Sequence, residues 1–153
     1  MKEISRYIYL NKLINRKENG MIKIVTGIRR SGKSFLLDPI FKNFLINNGV
    51  QDDHIIKIDL EERKNKRFLD PDVLDEYIRS LIIDEKMYYV ILDEIQLVSD
   101  FESVLNGFLH IKNVDVYVTG SNSKFLSSDI ITEFRGRGDE VKVYPISFSE
   151  FLE

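Results

Sequence analysis

Gly27-Ile28-Arg29-Arg30-Ser31-Gly32-Lys33-Ser34 is the stretch on which the reading of this chain turns. A short apolar run, Met21-Ile22-Lys23-Ile24-Val25-Thr26, precedes it, and an apolar stretch of helical period begins at Phe35. Glycine, four residues, then Gly-Lys-Ser between a strand and a helix is the spacing of a phosphate-binding loop. The glycines let the backbone curl so that successive N–H groups face one anion site. The helix after it adds the partial positive charge of its N-terminus. On this reading Lys33 reaches the β- and γ-phosphates and the Ser34 hydroxyl ligates Mg²⁺. Gly27, Ile28, Arg29, Arg30, Ser31, Gly32, Lys33, Ser34 and Phe35 form the expected nucleotide-binding set. Arg29 and Arg30 either add positive charge near the phosphates or point away to acidic neighbours, and the residues leave both open.

Upstream of the loop, residues 3 to 18 read as a helix with Ile4, Ile8, Leu10, Leu13 and Ile14 tending to one side. Asn19-Gly20 stops it. Residues 1–20 are therefore expected to be a lead-in helix, with Tyr7 and Tyr9 as packing residues, ahead of a core over residues 21–153. Downstream, Leu36, Leu37, Ile40, Phe41, Phe44 and Leu45 form a buried stripe that closes at Asn47-Asn48-Gly49. Pro39 lies inside that stripe and predicts a bend near Phe35, whose carbonyl its ring would strike.

Further strands are expected at His54–Leu60, Tyr88–Leu92, Val114–Thr119 and Glu140–Tyr144. Asp70-Pro71 is a helix start with Asp70 as cap, and Ser99-Asp100-Phe101-Glu102 has the form of a capping box. Asp129–Phe134 reads as a short helix, and Ser147-Phe148-Ser149-Glu150 opens another. Strands alternating with helices imply right-handed crossovers and a parallel sheet with helices on both faces. The last capped helix is cut after one turn, so the chain is expected to be the front part of a longer protein.

Composition narrows the class. With 153 residues the chain suits one domain and can bury roughly 70% of its unfolded surface. A net charge of −3 gives no global pointer to nucleic acid. The absence of cysteine excludes disulfide scaffolds, thiolate zinc sites and cysteine nucleophiles. His54 and His110 lack metal-ligand spacing. No apolar run reaches the ~18 residues of a membrane span, and no apolar signal core opens the chain. A cytoplasmic protein without membrane contact is expected.

The chemistry lies downstream of the loop. Val90-Ile91-Leu92-Asp93-Glu94 is a Walker-B pattern, an apolar strand ending in adjacent carboxylates. The carboxyl end of a parallel strand lies beside the loop, where ligands bind. Asp93 is the candidate to hold Mg²⁺, mainly through its water shell, and Glu94 to activate an attacking water. The next strand ends in Thr119-Gly120-Ser121-Asn122, where Asn122, with Ser121 close behind, is the candidate to align that water. Phe134-Arg135-Gly136-Arg137-Gly138 puts two arginines on a glycine-flanked corner, and Arg137 and Arg135 are candidates for an arginine supplied across a subunit interface. Guanine recognition normally uses Asn-Lys-x-Asp; Asn65-Lys66-Arg67-Phe68 fails at its last position, which favours ATP over GTP.

These elements in this order, together with Asp93-Glu94-Ile95-Gln96, Thr119-Gly120-Ser121-Asn122-Ser123, Gly136-Arg137 and Tyr144-Pro145-Ile146-Ser147-Phe148, carry a resemblance. The chain resembles the prokaryotic AAA-type ATP-binding proteins that join an N-terminal AAA domain to a C-terminal domain of unknown function. The resemblance implies an α/β P-loop NTPase whose parallel five-stranded sheet is ordered 5-1-4-3-2. It makes Asn122 the sensor residue and places Arg137 where an arginine finger sits. It also implies that the lid after strand five and the C-terminal domain lie outside these residues. The implied activity is Mg²⁺-dependent ATP hydrolysis driving a conformational change, with ATP/ADP as ligands and a homo-oligomer formed through the arginine finger. The alternative is a nucleotide-dependent switch with little hydrolysis that recruits a protein or DNA.

Overall fold

The computed structural model describes residues 2–27, 32–121 and 136–144. Ile28, Arg29, Arg30, Ser31, Asn122, Arg135 and the expected helices at 129–134 and 147–150 lie outside the described residues. Helix α1 spans Lys2–Arg16 and leads through the Asn19-Gly20 turn into β1, Ile22–Thr26. After the loop come α2, Lys33–Phe35, an irregular segment Leu36–Phe41, and α3, Lys42–Asn47. Next along the chain are β2, Ile55–Asp59; α4, Pro71–Leu81; β3, Tyr88–Asp93; α5, Phe101–Leu109; β4, Val114–Gly120; and β5, Gly138–Lys142.

The five strands form one parallel sheet in the order β2-β3-β4-β1-β5, the expected order read from the other edge. β1 and β3 are buried along their whole length because helices cover both faces. On one face Ile22, Ile24, Val90, Leu92, Val116 and Val118 pack against Leu74 and Ile78 of α4 and Leu105 and Phe108 of α5. On the other, Val25, Ile91 and Tyr117 meet Leu36, Phe41 and Leu45 after the loop and Leu13 of α1. Alternate strand residues feed alternate faces, so the side chain at each strand tip belongs to a definite face.

Four local expectations are corrected. The bend at Pro39 falls on Asp38 (φ −144°, ψ 112°), not near Phe35. A residue before proline is pushed out of the helical region into extended backbone, so the chain yields at Asp38 alone and is helical again after it. α5 starts one residue later than the capping box requires: its cap is Asp100, in left-handed backbone, whose side chain makes no cap hydrogen bond. The Ser99 N–H is held by the Leu69 carbonyl at 3.3 Å, and Phe101 is drawn into the core, which sets the register. β5 starts at Gly138, two residues early, because pairing with Ile22 of β1 begins there. Tyr7 is 64% exposed rather than packed, whereas Tyr9 accepts the Tyr144 N–H through its hydroxyl at 3.1 Å. The Asp70 cap is as expected, accepting from the Asp72 and Val73 N–H groups.

At the amino-terminal rim of the sheet a buried polar cluster locks α1 to the strands. Lys23 of β1, fully buried, pairs with Asp115 of β4, which also accepts the Tyr117 hydroxyl at 2.7 Å and the Glu18 N–H at 2.9 Å. Burial pushes the Lys23 ammonium below its ordinary range against the opposing pull of Asp115. Burial and the Asp115 charge push the Tyr117 phenol far up, so it stays a neutral donor.

Candidate functional site

The opposite, carboxyl-terminal rim gathers Lys33, Ser34, Asp93, Glu94 and Ser121 from among the residues singled out from the sequence. β1 ends at Thr26, whose carbonyl accepts the Val143 N–H at 2.8 Å and whose hydroxyl donates to Glu140 Oε2 at 2.7 Å. These contacts hold β5 beside the strand that delivers the loop. The loop ends at Gly32 in left-handed backbone, φ +92°, with nothing within 4 Å of where a Cβ would stand. Glycine is therefore needed there for its conformation rather than for space. The Leu36 N–H returns to the Gly32 carbonyl at 2.9 Å, which starts the first helical turn.

That turn aims two side chains at the tip of β3. The Ser34 hydroxyl donates to Asp93 Oδ1 at 2.9 Å, and Lys33 Nζ forms an ion pair with Glu94 Oε1 at 3.4 Å. Lys33 is only 4% exposed and Glu94 5%, so this pairing is largely sheltered from water and salt. Phe35, 45% exposed, stands at the rim.

The two carboxylates are held by β4. The Thr119 hydroxyl donates to Asp93 Oδ1 while accepting the Glu94 N–H at 2.9 Å. Glu94 itself adopts left-handed backbone, φ 60° and ψ 53°, where the chain leaves the strand for the turn Ile95–Leu97. A non-glycine residue there carries ~1–2 kcal/mol of strain, so the surrounding bonds must hold it. Ser121 Oγ lies 3.0 and 2.8 Å from the two Glu94 carboxylate oxygens, and Gln96 Nε2 donates to Oε2 at 2.6 Å. Thr119 and Gln96 stand in the sequence motifs with no role of their own; the pairing of β3 with β4 supplies one for Thr119, and the turn at Glu94 one for Gln96.

Neighbouring β2 ends at Asp59, in register with Asp93. Burial raises the Asp59 carboxyl above its ordinary value, opposed by the Glu61 N–H bond and assisted by the Asp93 charge.

The donors suit Mg²⁺ and phosphate. A hydroxyl and a carboxylate are hard oxygen ligands, and Mg²⁺ usually keeps waters and substrate oxygens in the rest of its shell. Accordingly, no group of three or more histidine or acidic residues forms an all-protein metal cage among the described residues. Gln96 Oε1 is buried with no partner among those residues, an acceptor beside Glu94 that a water can satisfy. Arg137 is elsewhere: it is exposed at the start of β5, its carbonyl accepting the Ile22 N–H at 2.7 Å. That is the amino-terminal rim, four strand steps or ~13 Å from the Thr26 tip. The fold does not bring Arg137 to its own Lys33.

A five-stranded parallel sheet in this order, with a Gly-Lys-Ser loop turning onto a strand tip that bears adjacent carboxylates, defines a P-loop nucleotide-binding core of the AAA type. Residues 19–152 match the model of the AAA domain family, and the chain belongs to that family. An uncharacterized protein of Haemophilus influenzae is 36% identical over 97% of this chain, and one of Methanocaldococcus jannaschii is 32% identical over 99%. The chain spans 37% and 32% of the length of those two relatives. C. elegans PCH-2 shares the fold with a TM-score of 0.57 at 18% identity, over 95% of this chain and 43% of that one. Among the described residues no helix is long and apolar enough to cross a membrane.

Proposed function

We propose that this domain binds ATP with Mg²⁺ and hydrolyses it, and that the resulting change is passed to further parts of a longer protein. The observation that carries the reading is the meeting of Lys33 and Ser34 with Glu94 and Asp93 at 3.4 and 2.9 Å. Residues 21–153 are assigned as the ATPase core and residues 1–20 as its lead-in helix. Gly27 to Phe35 wrap the phosphates. Ser34 and Asp93 hold Mg²⁺, which when bound spreads the negative charge of the β- and γ-phosphate oxygens. Lys33 exchanges Glu94 for phosphate as the nucleotide enters, and this frees Glu94 Oε1 to take a proton from water. Asn122, with Ser121, aligns that water. Arg137 acts on the site of a second copy, since its own site is on the other rim, and this makes the active form a homo-oligomer. The protein works in the cytoplasm.

A second reading is favoured by the engagement of Glu94. Lys33, Ser121 and Gln96 all occupy its carboxylate, an arrangement suited to holding nucleotide without cleaving it. The domain is then a switch that recruits a protein or DNA when loaded. Phosphate release by the full-length protein separates the two. Hydrolysis is supported by turnover that rises in specific rate with protein concentration and that Glu94→Gln abolishes while ATP binding survives. ATP binding without turnover, with or without DNA, selects the switch.

A further inference from the structure

We propose that Asp59, at the tip of β2, belongs to the nucleotide site and positions a water of the metal's shell beside Asp93. The proposal rests on the nucleotide reading of this site and adds a residue to it.

Register and face bring Asp59 to this place. Asp59 and Asp93 are paired positions of adjacent parallel strands, which lie ~4.8 Å apart. Ile55, Lys57 and Asp59 alternate onto one face of β2, as Tyr89, Ile91 and Asp93 do on β3. Ile55 packs in the same cluster as Tyr89, Ile91, Leu36 and Phe41. That face is the one covered by the segment after the loop, and Lys57 Nζ reaches Asp38 Oδ2 there at 3.4 Å. Asp59 therefore stands on the Ser34 side of the sheet, one strand beyond Asp93.

The charges around it point to a cation. The nearest lysine on its own strand face, Lys57, is committed to Asp38. Among the described residues neither Asp59 nor Asp93 takes an ion pair, although the two are paired positions of adjacent strands. Asp93 is held by two hydroxyls, and Asp59 Oδ1 accepts the Glu61 N–H at 3.0 Å. The tip is rigid: the Asp59 carbonyl accepts from Asn65 Nδ2 at 2.8 Å, and the Leu60 N–H crosses to the Asp93 carbonyl at 3.1 Å. A carboxylate beside Asp93 suits a contact with a water of the metal's shell, since Mg²⁺ keeps several of its waters.

The test is the ratio of mant-ADP affinities in excess Mg²⁺ and in EDTA, measured on the full chain. Asp59→Asn keeps the acceptor for the Glu61 N–H and removes the charge. It is expected to lower that ratio ~10-fold, the scale of lost outer-shell contacts, while affinity in EDTA is unchanged or tighter. Asp59→Glu is expected to retain part of the ratio, which a purely structural role would not predict. If Asp59→Asn does not fold, Asp59→Ser is read in the same way. A wild-type ratio in the uncharged variant overturns the proposal, as does wild-type ADP binding indifferent to Mg²⁺. Wild-type protein that binds no ADP at all overturns the nucleotide reading itself, so the two failures are distinct.

Discussion

The side-chain oxygen of Thr119 accepts the backbone N–H of Glu94 at 2.9 Å, and its proton goes to Asp93 Oδ1. One buried hydroxyl on β4 thus fixes both acidic residues at the tip of β3. It satisfies the amide of a residue held in left-handed backbone and orients the carboxylate before it.

Thr119→Val keeps the branched shape and removes this link. The Glu94 N–H is left buried without an acceptor, at a cost of about 1–3 kcal/mol. Urea unfolding is expected to show that loss. Phosphate release is expected to fall by more than nucleotide affinity, because the phosphate-binding loop is untouched while Glu94 loses its anchor.

Lys33→Met removes the cation that Glu94 faces at 3.4 Å. Loss of a charged contact to phosphate, worth ~1.5–3 kcal/mol, is expected to weaken ATP binding roughly 10- to 100-fold in a calorimetric titration. Ser121 and Gln96 still donate to Glu94, so the stability lost stays below the ~3–5 kcal/mol of a fully stripped buried charge.

At the other rim the group left behind is a buried cation. Asp115→Asn leaves the Lys23 ammonium enclosed without its carboxylate, facing only neutral acceptors such as the Asn19 side chain and the Met21 carbonyl, at 3.2 and 2.7 Å. The expected destabilisation is ~3–5 kcal/mol by urea unfolding, larger than for Thr119→Val. Nucleotide affinity of the folded fraction is expected to be unchanged, since the cluster is a full strand length from Lys33.

His54 gives the protein a pH dependence. Its Nδ1 lies 2.7 Å from Asp53 Oδ1 and its Nε2 2.8 Å from Asp84 Oδ2, and both nitrogens donate only in the imidazolium. The bonds to Asp53 and then Asp84 raise its pKa above the ordinary 6.5. A raised folded-state value means stabilisation that is fully present below the unfolded value and lost as pH rises through the folded one. The melting temperature is expected to fall as pH rises above about 6.5, toward and past the raised value. His54→Gln is expected to flatten that slope.

The strand that ends at Asp93, the helical turn that starts at Lys33 and the Asp70 cap were legible because each is a local pattern, a spacing of residue types within one element. The kink at Asp38 and the late start of α5 were misread for a related reason. Proline acts on the residue before it, and the demand of Phe101 for the core outweighed the side-chain cap at Ser99. Thr119 and Asp59 were not legible as site residues, since each is brought to Asp93 from another strand, and Gln96 was not because its bond to Glu94 depends on the left-handed backbone at Glu94.

By itself the sequence determined the five strands and that a Gly-Lys-Ser segment precedes a carboxylate-tipped strand. Periodicity and turn chemistry are short-range properties, written into neighbouring residues. Only the tertiary structure decided that Asp59, Asp93 and Thr119 share one face of adjoining strand tips, and that Arg137 belongs to the far rim. Those relations depend on strand register and order, which arise when hydrogen-bonded neighbours and both packed faces are satisfied together.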